Sequence, residues 1–263
     1  MKEQRAIVDC LEEARVLEGV RWAYASAIAR TLDDYSEEAG YDAASLGSIR
    51  FTLFRDRLDR AFACGRYALQ AGANPVDGLD LLQVELSNRD IATMPSIAPD
   101  LVRRADLNHS PGWAFDDVRF LLASCAFGKI DKLPWPQKSQ TKQRVAQQRN
   151  PEPHPSLFDE LAEEEVAGLL ALGEEHLDLD TFVVGHTLDT VGPKAELVFG
   201  QPRINVGGGD AWHWYVNLLG TPPTRGGVRA DPPSAPGPDS VPDVAVRLRR
   251  LTAVELPQTK GSQ

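Results

Sequence analysis

Apolar residues in this chain change their spacing partway along it. Before Pro95 they recur at the three-to-four-residue interval of a helix face; from Thr181 they recur at every second position, as on a half-buried strand. No all-helical or all-strand fold accommodates both patterns. The expectation is therefore an α+β protein, with a helical N-terminal half and a small antiparallel β-sheet C-terminal region.

In the first half, Ile7, Leu11, Ala14 and Leu17, then Tyr24, Ile28, Leu32 and Tyr35, predict helix over residues 3–36, broken near Gly19. A second helix is expected from Ser48 to Gln70, with Phe54, Leu58, Phe62 and Leu69 inward. Its other face is arginine-rich (Arg50, Arg55, Arg57, Arg60, Arg66), partly countered by Asp56 and Asp59. Asn74-Pro75 reads as a cap opening a third helix through Leu86. Leu101–Leu107 and Val118–Ala123 are expected to pair as a hairpin across His109-Ser110-Pro111-Gly112, although Val118–Phe127 also suits a buried helix.

Further along, one strand carries Phe182, Val184, His186 and Leu188 on one face, and Gly192-Pro193 turns the chain. Ala195, Leu197 and Phe199 mark a second strand; Trp212, Trp214 and Val216 a third; Val244, Val246 and Leu248 a fourth. Between the last two, ten of the 23 residues of Thr221–Asp243 are Pro or Gly, which reads as a disordered insertion. The expected organisation is a mainly helical domain with a hairpin at 1–132 and a Pro-rich basic linker at 133–155. An acidic helix plus antiparallel sheet follows at 156–256, interrupted by the insertion at 221–243.

Charge supplies the main functional signal. Lys129 to Arg149 holds six Lys/Arg against one acid, Asp131, whereas Glu152 to Asp180 holds ten Asp/Glu and no Lys or Arg. The net charge of −10 excludes general coating of nucleic acid or of an anionic membrane, so any phosphate contact must be local. Within the tract, Lys129, Lys132, Lys138, Lys142 and Arg144 alternate with Trp135 and with Gln, Ser and Thr. Lys and Arg neutralise phosphates, and an exposed Trp stacks on a base. The competing readings are that Trp135, between Pro134 and Pro136, anchors the segment to the core with its lysines solvated, or that a helix at 156–172 lies over the tract.

Chemical motifs are sparse. His186 and His213 are the histidines best suited as ligands or bases, with Asp189, Glu196 and Asp210 nearby in sequence, but no His pair has metal-ligand spacing. His186 shares its strand face with Phe182, Val184 and Leu188, as a core histidine would. Lys194-Ala195-Glu196 with Asp189 upstream is a reversed version of a Mg²⁺-dependent nuclease element. Gly207-Gly208-Gly209 reads as a turn rather than a phosphate loop. For an enzyme, the Arg-rich second helix, Arg119, Lys129 and Lys132 would be the anion-handling groups. Pro155-Ser156-Leu157-Phe158 resembles the Leu-Phe end of bacterial sliding-clamp-binding peptides, with His154 where the leading Gln is expected; a capped helix start is the competing reading.

Cys10, Cys64 and Cys125 are scattered among apolar residues, which suggests reduced thiols. Together with no signal-peptide pattern and no apolar run of membrane-spanning length, this points to a cytoplasmic protein. The functional expectation is a binding or accessory protein, not a self-contained enzyme, contacting nucleic acid or an acidic protein through 129–149. The acidic helix 156–172 would offer a second surface to a basic protein. The alternatives are a phosphate-handling hydrolase such as a Mg²⁺-dependent nuclease, and a protein–protein adaptor without nucleic-acid contact. No membrane partner and no other cofactor are implied, and nothing points to a particular oligomeric state.

Overall fold

The computed structural model describes residues 2–68, 81–148, 177–189 and 194–220. Its helices are α1 (Lys2–Glu13), α2 (Val16–Asp34), α3 (Ala43–Ala61), α4 (Asn88–Thr93) and α5 (Gln140–Ala146). The strands are β1 (Arg103–Arg104), β2 (Gly112–Phe115), β3 (Val118–Ser124), β4 (Asp180–Asp189), β5 (Lys194–Pro202) and β6 (Trp212–Asn217). Helices occupy the N-terminal half, and the strands form one mostly antiparallel sheet in the order β1-β2-β3-β4-β5-β6. The exception is β3 beside β4, which run parallel. Parallel neighbours cannot be joined by a tight turn, so the chain between them must leave the sheet and return.

That excursion explains the layering. One sheet face is covered by α1, α2 and α3: Leu11, Leu17, Val20, Phe54 and Leu58 pack against Phe120, Leu122, Phe182, Val184, Leu197 and Phe199. The other is covered by the chain leaving β3, where Ile130, Leu133, Trp135, Val145 and Ala146 pack on Leu121, Ala123, Val183, Val198 and Trp212. Being covered on both faces, β3 and β4 are buried along nearly their whole length.

Several expectations are corrected. The N-terminal helix breaks at Arg15, in left-handed conformation at φ 60°, and not at Gly19. Gly19 lies inside α2, where a Cβ would come within 2.8 Å of Phe62 Cε1 and 2.9 Å of Ile97 Cδ1, so close packing is what excludes a side chain. The second helix starts earlier, capped by the Asp42 carboxylate accepting from Ser45 N at 2.7 Å, and ends at Ala61 rather than Gln70. Val118–Ser124 is a strand, but its hairpin partner is β2, through a turn at Asp116-Asp117 with Asp116 at φ 48°. β1 pairs with β2 instead. Trp212 and Trp214 do not share a face: pairing with β5 is irregular at Gln201/Pro202, so Trp212 joins the second-face cluster and Trp214 the helical one.

Residues 133–148 are no exposed extended connection either. Leu133 and Trp135 are fully buried, and the segment coils into 3₁₀ turns at Ile130–Lys132 and Trp135–Gln137 before α5. The third helix's opening at Asn74-Pro75, the acidic helix 156–172 with the clamp-like peptide, the Gly192-Pro193 turn, the 221–243 insertion and the fourth strand lie outside the described residues. No helix among the described residues is long and apolar enough to cross a membrane.

Candidate functional site

Two polar side chains stand where the sequence pattern calls for apolar ones. On α3, Leu46, Phe54 and Leu58 form the buried stripe, and Arg50 falls at the matching four-residue step between Leu46 and Phe54. On β4, the alternation that turns Phe182 and Val184 toward the helices does the same to His186. Both lie in the core, and the charge of Arg50 acts on the His186 ring. His186 is fully buried between Tyr24 and Phe54, with ring centroids 5.7 and 5.2 Å away. Arg50 is 5% exposed.

Neither is satisfied. Both ring nitrogens of His186 and the Nε of Arg50 are buried without a hydrogen-bond partner. Among the described residues Arg50 has no ion pair, although a buried cation ordinarily demands one. Burial first, then the positive charges of Arg50, Lys142 and Lys138, hold the His186 imidazole well below its ordinary range, so it is neutral near pH 7. Burial also lowers Arg50 and Lys142 from their usual values.

The lysines arrive from the opposite cover of the sheet. Lys138 Nζ donates to the Ser124 carbonyl at 2.6 Å, and Ser124 is the register partner of His186 in the parallel pair. Cys125, the first residue beyond β3, lies within the fields of Lys138, Glu196 and Arg50; burial pushes its thiol up to about 11, so it is protonated near pH 7. The Oε2 of Glu196 already accepts from Thr187 Oγ1 at 2.8 Å and Gly128 N at 3.0 Å. Tyr24 donates its hydroxyl to the Thr187 carbonyl, which ties α2 to the same end of β4.

The basic tract thus divides. Lys138 and Lys142 are half-buried and turn toward this group, whereas Lys129, Lys132 and Arg144 are exposed. Trp135 is not available for stacking: it is fully buried, its Nε1 donates to the Ala211 carbonyl at 2.5 Å, and its ring meets Trp212 edge-on. The aromatic beside the outer lysines is Tyr215, 40% exposed, whose hydroxyl donates to Asp131 Oδ1 at 2.6 Å. That hydrogen bond to a carboxylate, followed by burial, raises the phenol to about 12. Only the strand register, which carries β6 across to the turn at Ile130–Lys132, reveals this neighbour.

The other sequence candidates do not converge. Glu196 sits opposite Thr187 and Asp189 opposite Lys194, on the face turned away from His186. His213 lies at the irregular end of β6 near Arg203, whose charge adds to burial in lowering its imidazole. No group of three or more His, Cys, Asp or Glu is placed to hold a metal ion among the described residues. The arginine-rich face of α3 is largely internal: Arg57 and Arg60 are buried and paired with Asp56. Arg119 is buried with its Nη2 between both Asp178 oxygens, at 2.8 and 2.9 Å. Gly207, Gly208 and Gly209 form a left-handed turn.

No family model matches this chain, and no curated protein or solved structure matches it either.

Proposed function

We propose that this chain is a binding or accessory protein that contacts a phosphate-bearing partner, a single-stranded nucleic acid, through the outer half of the 129–149 tract. The observation that carries the reading is charge without compensation. In a protein of net charge −10, the exposed Lys129 and Lys132 have no carboxylate partner among the described residues, and the one acid between them, Asp131, is held by Tyr215. Exposed lysines release counterions from a phosphate backbone, and an exposed tyrosine beside them offers a stacking surface. Tyr215 takes the role that the sequence suggests for Trp135.

The test is the salt dependence of binding to a fluorescent single-stranded oligonucleotide. Replacing Lys129 and Lys132 by Ala should flatten the plot of log affinity against log salt by about 0.7 for each phosphate no longer neutralised. Tyr215→Ala should cost about 1–3 kcal/mol on single strands and little on duplex. Trp135→Ala should instead unfold the second-face cover. An unaltered slope in the double variant, or no binding at low salt, would leave a protein–protein adaptor as the better description.

A further inference from the structure

We propose a second, interior site at the carboxyl end of β3, where Arg50, His186, Lys138 and Lys142 bind the phosphoryl group of a small molecule. This site does not depend on the surface contact above, since it uses neither Lys129 nor Lys132.

The argument begins with an unbalanced interior. A buried guanidinium without a counter-charge and a fully buried imidazole with both nitrogens unpaired are each costly, yet here the charge of the first acts on the second. A core serving stability alone would carry apolar residues at both positions, as the flanking Leu46, Phe54, Val184 and Leu188 do. Two lysines approach the same place from the other side of the sheet, and the field of Lys138 adds to burial in lowering Lys142. Like charges collected in a low-dielectric place repel one another unless an anion joins them.

The position has a topological reason as well. β3 ends at Ser124 while its parallel neighbour β4 continues to Asp189. The chain leaves β3 toward one face while α2 and α3 cover the other, so the carboxyl end of β3 falls between the two covers.

Charge and donor number identify the ligand. Arg50, Lys138 and Lys142 bring three positive charges, and Glu196, whose field reaches Cys125 together with those of Lys138 and Arg50, returns one. The remainder matches a phosphate monoester, which carries about −1.5 to −2 near neutral pH. A carboxylate has two oxygens, too few for a guanidinium fork, two ammonium groups and an imidazole N–H, whereas a phosphoryl group has three or four. Two sources share that chemistry: free phosphate, and the phosphate ester of a small metabolite.

Thermal unfolding and titration calorimetry at constant ionic strength test the site with inorganic phosphate, adenosine monophosphate and adenosine. The wild-type melting temperature should rise with millimolar phosphate or adenosine monophosphate and not with adenosine. Tighter binding of the nucleotide assigns the ester as the source, and equal binding assigns free phosphate. Arg50→Met should weaken binding by about 10- to 100-fold, the worth of one charge-assisted hydrogen bond, while the ligand-free protein melts no lower than wild type. Lys142→Gln, at a half-exposed position, should weaken binding without unfolding the chain, and it decides the matter if Arg50→Met does not fold. No melting shift in the wild type, or unchanged affinity in Lys142→Gln or in a folded Arg50→Met, would overturn the proposal.

Discussion

The two ends of α3 treat buried arginine in opposite ways. Toward its C-terminus, Arg57 and Arg60 converge on Asp56, with Arg57 Nη1 at 2.6 Å and Arg60 Nε at 2.8 Å from Oδ2. Arg60 also donates to the Leu82 carbonyl at 2.6 Å, and Tyr67 donates its hydroxyl to Asp56 Oδ1 at 2.6 Å. Burial alone would raise the Asp56 carboxyl, but the Tyr67 hydroxyl and the neighbouring guanidiniums outweigh it and hold the group below its ordinary range. Two turns earlier Arg50 is as deeply buried and meets no acid. The comparison teaches that burial of a cation does not by itself reveal its role. A compensated arginine braces the fold, whereas an uncompensated one marks a place where an anion is missing.

The largest expected effect removes the compensation. Asp56→Ala leaves two buried guanidiniums unpaired and should cost about 3–5 kcal/mol in urea unfolding. A loss below about 1 kcal/mol would put Asp56 in the class of surface ion pairs and erase the contrast.

Acid titration probes the other end of the helix. Because the folded state holds His186 well below 6.5, the unfolded chain binds the extra proton as pH drops. The contribution is fully present above pH 6.5 and is lost below it, by about 1.4 kcal/mol for each pH unit until the folded-state value is reached. The groups facing the ring are Arg50, Lys138 and Lys142, with Tyr24 and Phe54 packed on it. His186→Phe should abolish that slope between pH 6.5 and 5, and an unchanged slope would mean that another group governs it.

Arg50→Met is expected to do the reverse of Asp56→Ala. With no partner to strand, stability in phosphate-free buffer should stay level or rise by up to about 1 kcal/mol. A loss as large as that of Asp56→Ala would show that Arg50 is compensated after all. Smallest of all is Arg66→Ala. Its guanidinium touches Asp56 but is 70% exposed, so solvent screening should leave a cost of no more than about 1 kcal/mol in the same urea series.

How much of this was legible depended on which partner each residue needed. β4 and β5 were readable from alternation at Phe182–Leu188 and Ala195–Phe199, because a strand that shows one face to a helical layer repeats every second residue. β2 is not legible in the sequence, since Gly112-Trp113-Ala114-Phe115 is buried at every position and shows no period. Arg50 could have been found. It interrupts the Leu46-Phe54-Leu58 stripe at a helical step, but it also belongs to the run of Arg50, Arg55, Arg57, Arg60 and Arg66 that reads as one basic face. For Trp135 the flanking prolines suggested both exposure and anchoring; its contacts with Ala211 and Trp212, distant in the chain, settle it as an anchor.

By itself the sequence determined the class of this protein: helices first, then paired strands, in an acidic chain with one basic tract. Those properties are local, since hydrophobic period and charge density are written within a turn or two of chain. Tertiary structure alone decided that β3 and β4 run parallel and that the basic tract crosses one sheet face as a cover. It likewise decided that two of the tract's lysines turn toward a histidine on β4 and an arginine from the N-terminal half of the protein. Such meetings depend on strand register and on which element shields which face, and those are set by the packing of distant residues rather than by any neighbour in the sequence.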